Sequence, residues 1–148
     1  MITPSAARVI VERLPELPEA PLPRQATPGS ACFDLSAAVG TTLRRSEVTR
    51  VRTGLRMRAP VGTFLEVRPR SGLSTKGVIM ANAPGTIDAD YSGEVQVPLT
   101  YLFEGSYEIL AGDRIAQIRL VPVHPVEFLA GQVELVAGRI GGFGSTGR

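Results

Sequence analysis

An all-β domain is what this sequence predicts. Short apolar and β-branched runs recur along it, 16 glycines and 12 prolines punctuate them at close intervals, and nowhere do apolar residues return at helical spacing. Many short strands joined by tight turns build a barrel or a sandwich. With 148 residues, 43% of them hydrophobic, the chain is long enough for one such domain. A domain of that size buries roughly 70% of its unfolded surface.

Residues 8–13 are β-branched and read as a strand. Residues 14–28 hold five prolines and scattered acids, and read as a surface loop. In residues 29–38 Asp34 is flanked by Phe33 and Leu35, so a carboxylate rides on otherwise core-seeking chain; alone it reads as a satisfied structural acid. Further strands are predicted near 48–52, 54–58 and 63–68, broken by Gly54, Pro60 and Gly62. Residues 94–102 read as a strand whose Pro98 predicts an edge position or a bulge, and 107–110 as a short one. Residues 112–121 read as a cleanly alternating strand in which Gln117 projects either beside a cleft or toward water.

Charge and rare residues exclude several classes. The net charge is +2, and all basic residues except Lys76 are arginines, with no basic run longer than Arg44-Arg45. Scattered arginines cover apolar surface with their stems more often than they form a nucleic-acid stripe, so nucleic acid is not the expected partner. One cysteine, Cys32, permits no intrachain disulfide and fits a reducing compartment. With one cysteine and one histidine, zinc sites built from His and Cys clusters are nearly excluded, and a Ser-His-Asp triad would have to use His124, which reads as structural. Residues 1–14 hold no continuous apolar run and no stretch is long and apolar enough to span a bilayer. The expectation is a soluble cytoplasmic protein without a membrane partner.

Three stretches carry the chemistry. Residues 85–95, Gly-Thr-Ile-Asp-Ala-Asp-Tyr-Ser-Gly-Glu-Val, crowd two carboxylates and an aromatic between glycines. If extended, they place Asp88 and Asp90 on one side and Ile87, Ala89 and Tyr91 on the other, a β-hairpin displaying an acid. The alternative is that Asp and Gly serve only the turn. Residues 69–77, Pro-Arg-Ser-Gly-Leu-Ser-Thr-Lys-Gly, combine a guanidinium, hydroxyls and a bare backbone, the parts of an anion site, without the order of a P-loop. The tail holds a formal G-x-G-x-x-G at Gly142, Gly144 and Gly147. Only Arg148 follows it, so it opens no helix and is no dinucleotide fingerprint. Phe143 and Ser145-Thr146 suit a segment that orders over a ligand.

Together, residues 29–38, 69–77, 82–95, 112–120 and 141–147 resemble the five ordered motifs of the trimeric dUTPases. The resemblance implies a jelly-roll-like β-barrel over residues 1–137, a flexible Gly-rich arm over 138–148, and a homotrimer with each arm over a neighbouring site. It implies hydrolysis of dUTP to dUMP and pyrophosphate with Mg²⁺, keeping uracil out of DNA and supplying dUMP for thymidylate synthesis. Asp88 would be the base that activates water. Asn82 and the backbone around Thr86 and Ile87 would read uracil, Tyr91 would pack under the deoxyribose, and Gln96 would be a further substrate contact. Arg70, Ser71, Gly72 and Gln117 match phosphate contacts. Phe143 matches a ring stacking on uracil, and Ser145 and Thr146 match terminal-phosphate contacts. Asp34 resembles an acid that holds magnesium through water.

Two positions depart from the pattern. Cys32 stands where the first motif usually carries glycine, and the tail arginine, Arg139, is displaced by one residue; its retention as a triphosphate clamp is the expectation. A dCTP deaminase on the same fold is disfavoured by the acid-bearing turn and the full tail, and a barrel that binds nucleotide without turnover has only the displaced arginine in its support.

Overall fold

The computed structural model describes residues 7–134. Within them the chain forms β1 (Ile10–Arg13), β2 (Phe33–Ser36), β3 (Thr41–Arg44), β4 (Thr49–Arg52), β5 (Leu55–Arg58) and β6 (Thr63–Arg68). One helical turn, α1 (Ser71–Ser74), follows, then β7 (Val78–Met80), β8 (Gly85–Ile87), β9 (Gln96–Tyr101), β10 (Ser106–Ile109) and β11 (Arg114–Pro122). The all-β expectation holds. The strands pair antiparallel in four small sheets: β1-β5, β10-β3, β2-β11-β6-β8 and β4-β9-β7.

Period-two alternation makes these strands. In β5, Leu55 and Met57 turn inward while Arg56 and Arg58 face out. In β9, Val97 and Leu99 are buried between half-buried Gln96, Pro98 and Thr100. Inward residues from all four sheets, among them Leu35, Leu43, Val51, Leu55, Val97, Leu99, Ile109 and Ile115, form one core at 2% exposure or less. Burying each such side chain contributes about 1.5–3 kcal/mol. Truncating one leaves a cavity as well, so Leu35→Ala costs about 2–5 kcal/mol. The polar residue buried with them, Thr53, donates to the Val95 carbonyl at 2.6 Å and so keeps its hydroxyl satisfied. Among the described residues no helix is long and apolar enough to cross a membrane.

Three local expectations are corrected. Residues 85–95 are not a hairpin: β8 pairs with β6, β9 pairs with β4 and β7, and residues 88–95 are a turn and crossing between two sheets. Pro98 is on neither an edge nor a bulge but in the central strand of its sheet. In an antiparallel ladder a hydrogen-bonded pair exchanges two bonds. Here Ala81 donates to the Pro98 carbonyl at 2.9 Å and the return bond is the one proline cannot make. The ladder therefore closes at Met80, and the chain is free to turn at Asn82. Lastly, β11 does not alternate cleanly. Its register against β2 shifts between Arg114 and Ala116, and both Ile115 and Ala116 are buried. This bulge inverts the parity upstream of Ala116, so Arg114 lies on the same face as Gln117 rather than on the core side.

Candidate functional site

Strand pairing assembles one half of the site. Asp34 on β2 lies opposite Gln117 on β11, and Gln117 lies opposite Arg68 at the end of β6. Beyond Arg68 the chain runs through Pro69 and Arg70 into α1. Asp34, Arg70, Ser71, Gly72 and Gln117, distant in sequence, thus line one cavity of ≈ 310 Å³, with Cys32 in its wall. The thiol occupies space that glycine would leave open, and the backbone accepts it in a half-buried position.

Hydrogen bonds fix this half. Gln117 Nε2 donates to the Pro69 carbonyl at 2.9 Å, tying β11 to the entry of α1. Arg70 Nε donates to Asp34 Oδ1 at 3.0 Å and Arg70 Nη1 to the Arg114 carbonyl at 3.2 Å. Arg114 Nη1 donates to Asp34 Oδ2 at 3.2 Å. Asp34 and Arg70 are mostly shielded from water, at 18% and 25% side-chain exposure, so their pair is less screened than a surface one. Two guanidiniums around one carboxylate leave the cluster net positive. The N–H groups of Ser71 and Gly72, in the first turn of α1, have no intrahelical carbonyl to meet. At the far end Gly77 takes φ +83°, and a Cβ there would fall 2.5 Å from the Phe103 ring, so only glycine lets that ring close over the segment. The arrangement suits a polyanion.

The other half is built on β8 and the turn after it. Thr86, Asp88 and Asp90 are exposed while Ile87 and Ala89 pack on the core, the alternation expected of the extended chain. Tyr91 N–H donates to the Asp88 carbonyl at 3.1 Å, closing the turn. The Tyr91 hydroxyl donates to the Glu94 carbonyl at 3.1 Å, and its ring lies so close over Gly93 that a Cβ there would fall 2.7 Å from Cζ. Asn82 lies over Gly85. Tyr91 lines a groove with Ile10, Arg56 and Arg58. Gln96 donates to Glu94 Oε2 at 3.1 Å, in a network where Glu94 also accepts from Arg52 Nε and the Gly54 N–H.

One chain does not join the halves. β2 and β8 are opposite edges of the four-stranded sheet, three inter-strand steps or about 14 Å apart. None of Asn82, Thr86, Ile87, Asp88, Tyr91 or Gln96 lines the Asp34 cavity. Arg139, Phe143, Ser145 and Thr146 lie outside the described residues, as does the arm 138–148. His124 is exposed. An apolar cavity of ≈ 340 Å³ beside β1 has Arg119 as its sole charged lining and does not suit a polyanion.

Among the described residues no group of three or more His, Cys, Asp or Glu side chains could cage a metal. Magnesium, however, keeps waters and binds through few carboxylates plus substrate phosphates. A carboxylate offers about four lone-pair sites. Two guanidiniums leave some of them at Asp34, which fits contact to a magnesium ion through water. Arg114 is the residue the sequence reading missed; the adjacent apolar pair Ile115-Ala116, which breaks strict alternation, was the signal for it.

The sequence matches the dUTPase family over residues 18–147. It is 42% identical over 147 residues to the deoxyuridine 5'-triphosphate nucleotidohydrolase of Wolbachia sp. subsp. Brugia malayi, covering 95% of this chain and 94% of that one. To the Aquifex aeolicus protein of the same name it is 48% identical over 120 residues, covering 79% and 80%. The fold superposes on a Staphylococcus bacteriophage 80alpha dUTPase solved with dUpNHpp at TM-score 0.77 and 26% identity, covering 95% of this chain and 98% of that one. It also superposes at TM-score 0.74 and 24% identity on a dUTPase of phage phi11 of S. aureus with a structural Mg(II) ion, covering 86% of this chain and 97% of that one.

Proposed function

The chain belongs to the dUTPase family, and from that premise we propose that it hydrolyses dUTP to dUMP and pyrophosphate in the cytoplasm, as a homotrimer with shared sites. The observation that carries the reading is the convergence of Asp34, Arg70, Ser71, Gly72 and Gln117 on one cavity, beside which Arg114 brings a second guanidinium to Asp34. The four sheets are read as walls of the family's jelly-roll-like barrel.

In this reading the cavity binds the triphosphate, with Arg70 and the Ser71 and Gly72 groups offsetting its charge. Bound with the triphosphate, magnesium would withdraw further charge from the phosphates, with Asp34 meeting it through water. Asp88, exposed on its turn, takes a proton from the attacking water. The main chain of 86–87 and Asn82 supply donors and acceptors for uracil, and the Tyr91 ring, held down on Gly93, closes the space beneath C2′. The opposite-edge placement of the halves supports sites completed between chains, since Asp88 of one subunit can meet the cavity of another. So does the stretch after β11, where Val126, Phe128 and Leu129 are 73%, 95% and 79% exposed, surface that association would cover. The tail, with Arg139, Phe143, Ser145 and Thr146, is read as the arm that closes over the nucleotide. Such an enzyme keeps uracil out of DNA and supplies dUMP for thymidylate synthesis.

The test is pyrophosphate release from dUTP, with dCTP, dTTP and UTP in parallel. Release from dUTP far above the other three is expected; equal release, or release from none, refutes the reading.

A further inference from the structure

We infer that Arg114 is a positioning residue of the polyphosphate cavity: by holding the second oxygen of Asp34 it keeps Asp34 from neutralising Arg70, and so leaves Arg70 free to meet an anion. The inference rests on the proposed dUTPase function for the identity of that anion.

Guanidinium and carboxylate prefer two parallel hydrogen bonds, which would use both oxygens of Asp34 and make Arg70-Asp34 a neutral unit. The structure holds a different arrangement. Arg70 reaches Oδ1 at 3.0 Å, while Arg114 takes Oδ2 at 3.2 Å and accepts Arg70 Nη1 on its own carbonyl at 3.2 Å. Arg114 therefore touches the pair twice, by side chain and by main chain. One carboxylate shared by two guanidiniums leaves an uncompensated positive charge. It acts most strongly at Arg70, which is 25% exposed and lines the cavity, and less at Arg114, which is 55% exposed and more screened. Arg114 reaches Asp34 only because the bulge at Ile115 turns it to that face.

A double-mutant cycle tests this, with binding of dUpNHpp and of inorganic triphosphate as readouts, each with and without magnesium. Arg114→Gln is expected to weaken binding about 3- to 10-fold in the parent background but less than about twofold in an Asp34→Asn background. Because Arg114 is half exposed, the melting temperature of Arg114→Gln should stay near the parent's. An equal cost in both backgrounds would mean that Arg114 meets the ligand directly and overturns the inference. No cost in the parent background, or a coupling seen only with magnesium, overturns it too. Should Asp34→Asn fail to fold, Arg114→Lys decides: keeping the charge, it should bind within about threefold of the parent, and binding as weak as that of Arg114→Gln overturns the proposal. A parent that binds inorganic triphosphate but does not hydrolyse dUTP refutes the proposed function and leaves the role of Arg114 to the cycle.

Discussion

Asp34 lies on one edge strand of the four-stranded sheet and Asp88 just past the end of the opposite edge strand, in opposite surroundings. Asp34 is mostly shielded, and each of its oxygens accepts from an arginine. Asp88 is exposed on a turn held by main-chain bonds and the Tyr91 hydroxyl, and no described side chain reaches its carboxylate. A carboxylate paired within its own chain is both structural and functional, and changing it disturbs both. One displayed without partners contributes little to stability, and under the proposed function it faces the substrate. The difference teaches that folding alone fixes the surroundings of Asp34 and leaves the Asp88 carboxylate without a side-chain partner among the described residues.

The largest expected effect separates the two acids. Asp88→Asn should lose about 10²- to 10⁴-fold in turnover while its melting temperature stays within about 1 °C of the parent's. A clear drop in melting temperature would mean that Asp88 holds the turn and would erase the contrast. Asp34→Asn should fail differently. Removing the charge and one of the two oxygens shared by two guanidiniums is expected to lower kcat/KM about 10- to 150-fold and the melting temperature by about 3–8 °C. Calorimetry alongside kinetics checks both halves of that statement.

Mixing subunits sharpens the comparison directly. Asp88→Asn and Arg70→Gln proteins, each nearly inactive, should recover about a quarter of parental activity when co-refolded, since a quarter of shared sites draw both intact groups from different chains. Absence of recovery would put the two halves of each site in one chain. Tyr91→Ala should admit UTP relative to dUTP by about tenfold; an unchanged ratio counts against the ring as the sugar gate.

The smallest effect lies where Glu16, Arg52 and Glu94 are linked. A hydrogen bond from its own backbone, and then one from Arg52, hold the Glu16 carboxyl below its ordinary 4.5. A depressed carboxylate pKa stabilises above the unfolded value and loses that contribution as pH falls through the folded one. Glu16→Gln should therefore be slightly less stable than the parent at neutral pH, with the gap closing as pH falls below about 4.5. A difference that persists unchanged to low pH, or that appears only there, would refute the linkage.

The sequence alone determined the strand content, because period-two alternation and Gly/Pro punctuation are local properties that each strand writes in its own residues. Strings such as Pro-Arg-Ser-Gly-Leu and Gly-Thr-Ile-Asp-Ala-Asp-Tyr likewise made Arg70 and Asp88 candidates without any knowledge of neighbours. What they could not carry is which strand lies beside which. The apparent hairpin at 85–95 became a crossing because β8 found its partner in β6, and Pro98 entered a central strand because its missing donor fell where a ladder ended. One bulge at Ile115 turned Arg114 from the core side to the face of Asp34, a shift that local alternation forbids and pairing against β2 imposes. Only the tertiary structure decided these, because register is set by the fit of two segments far apart in the chain, and a single inserted residue changes the face of everything on one side of it.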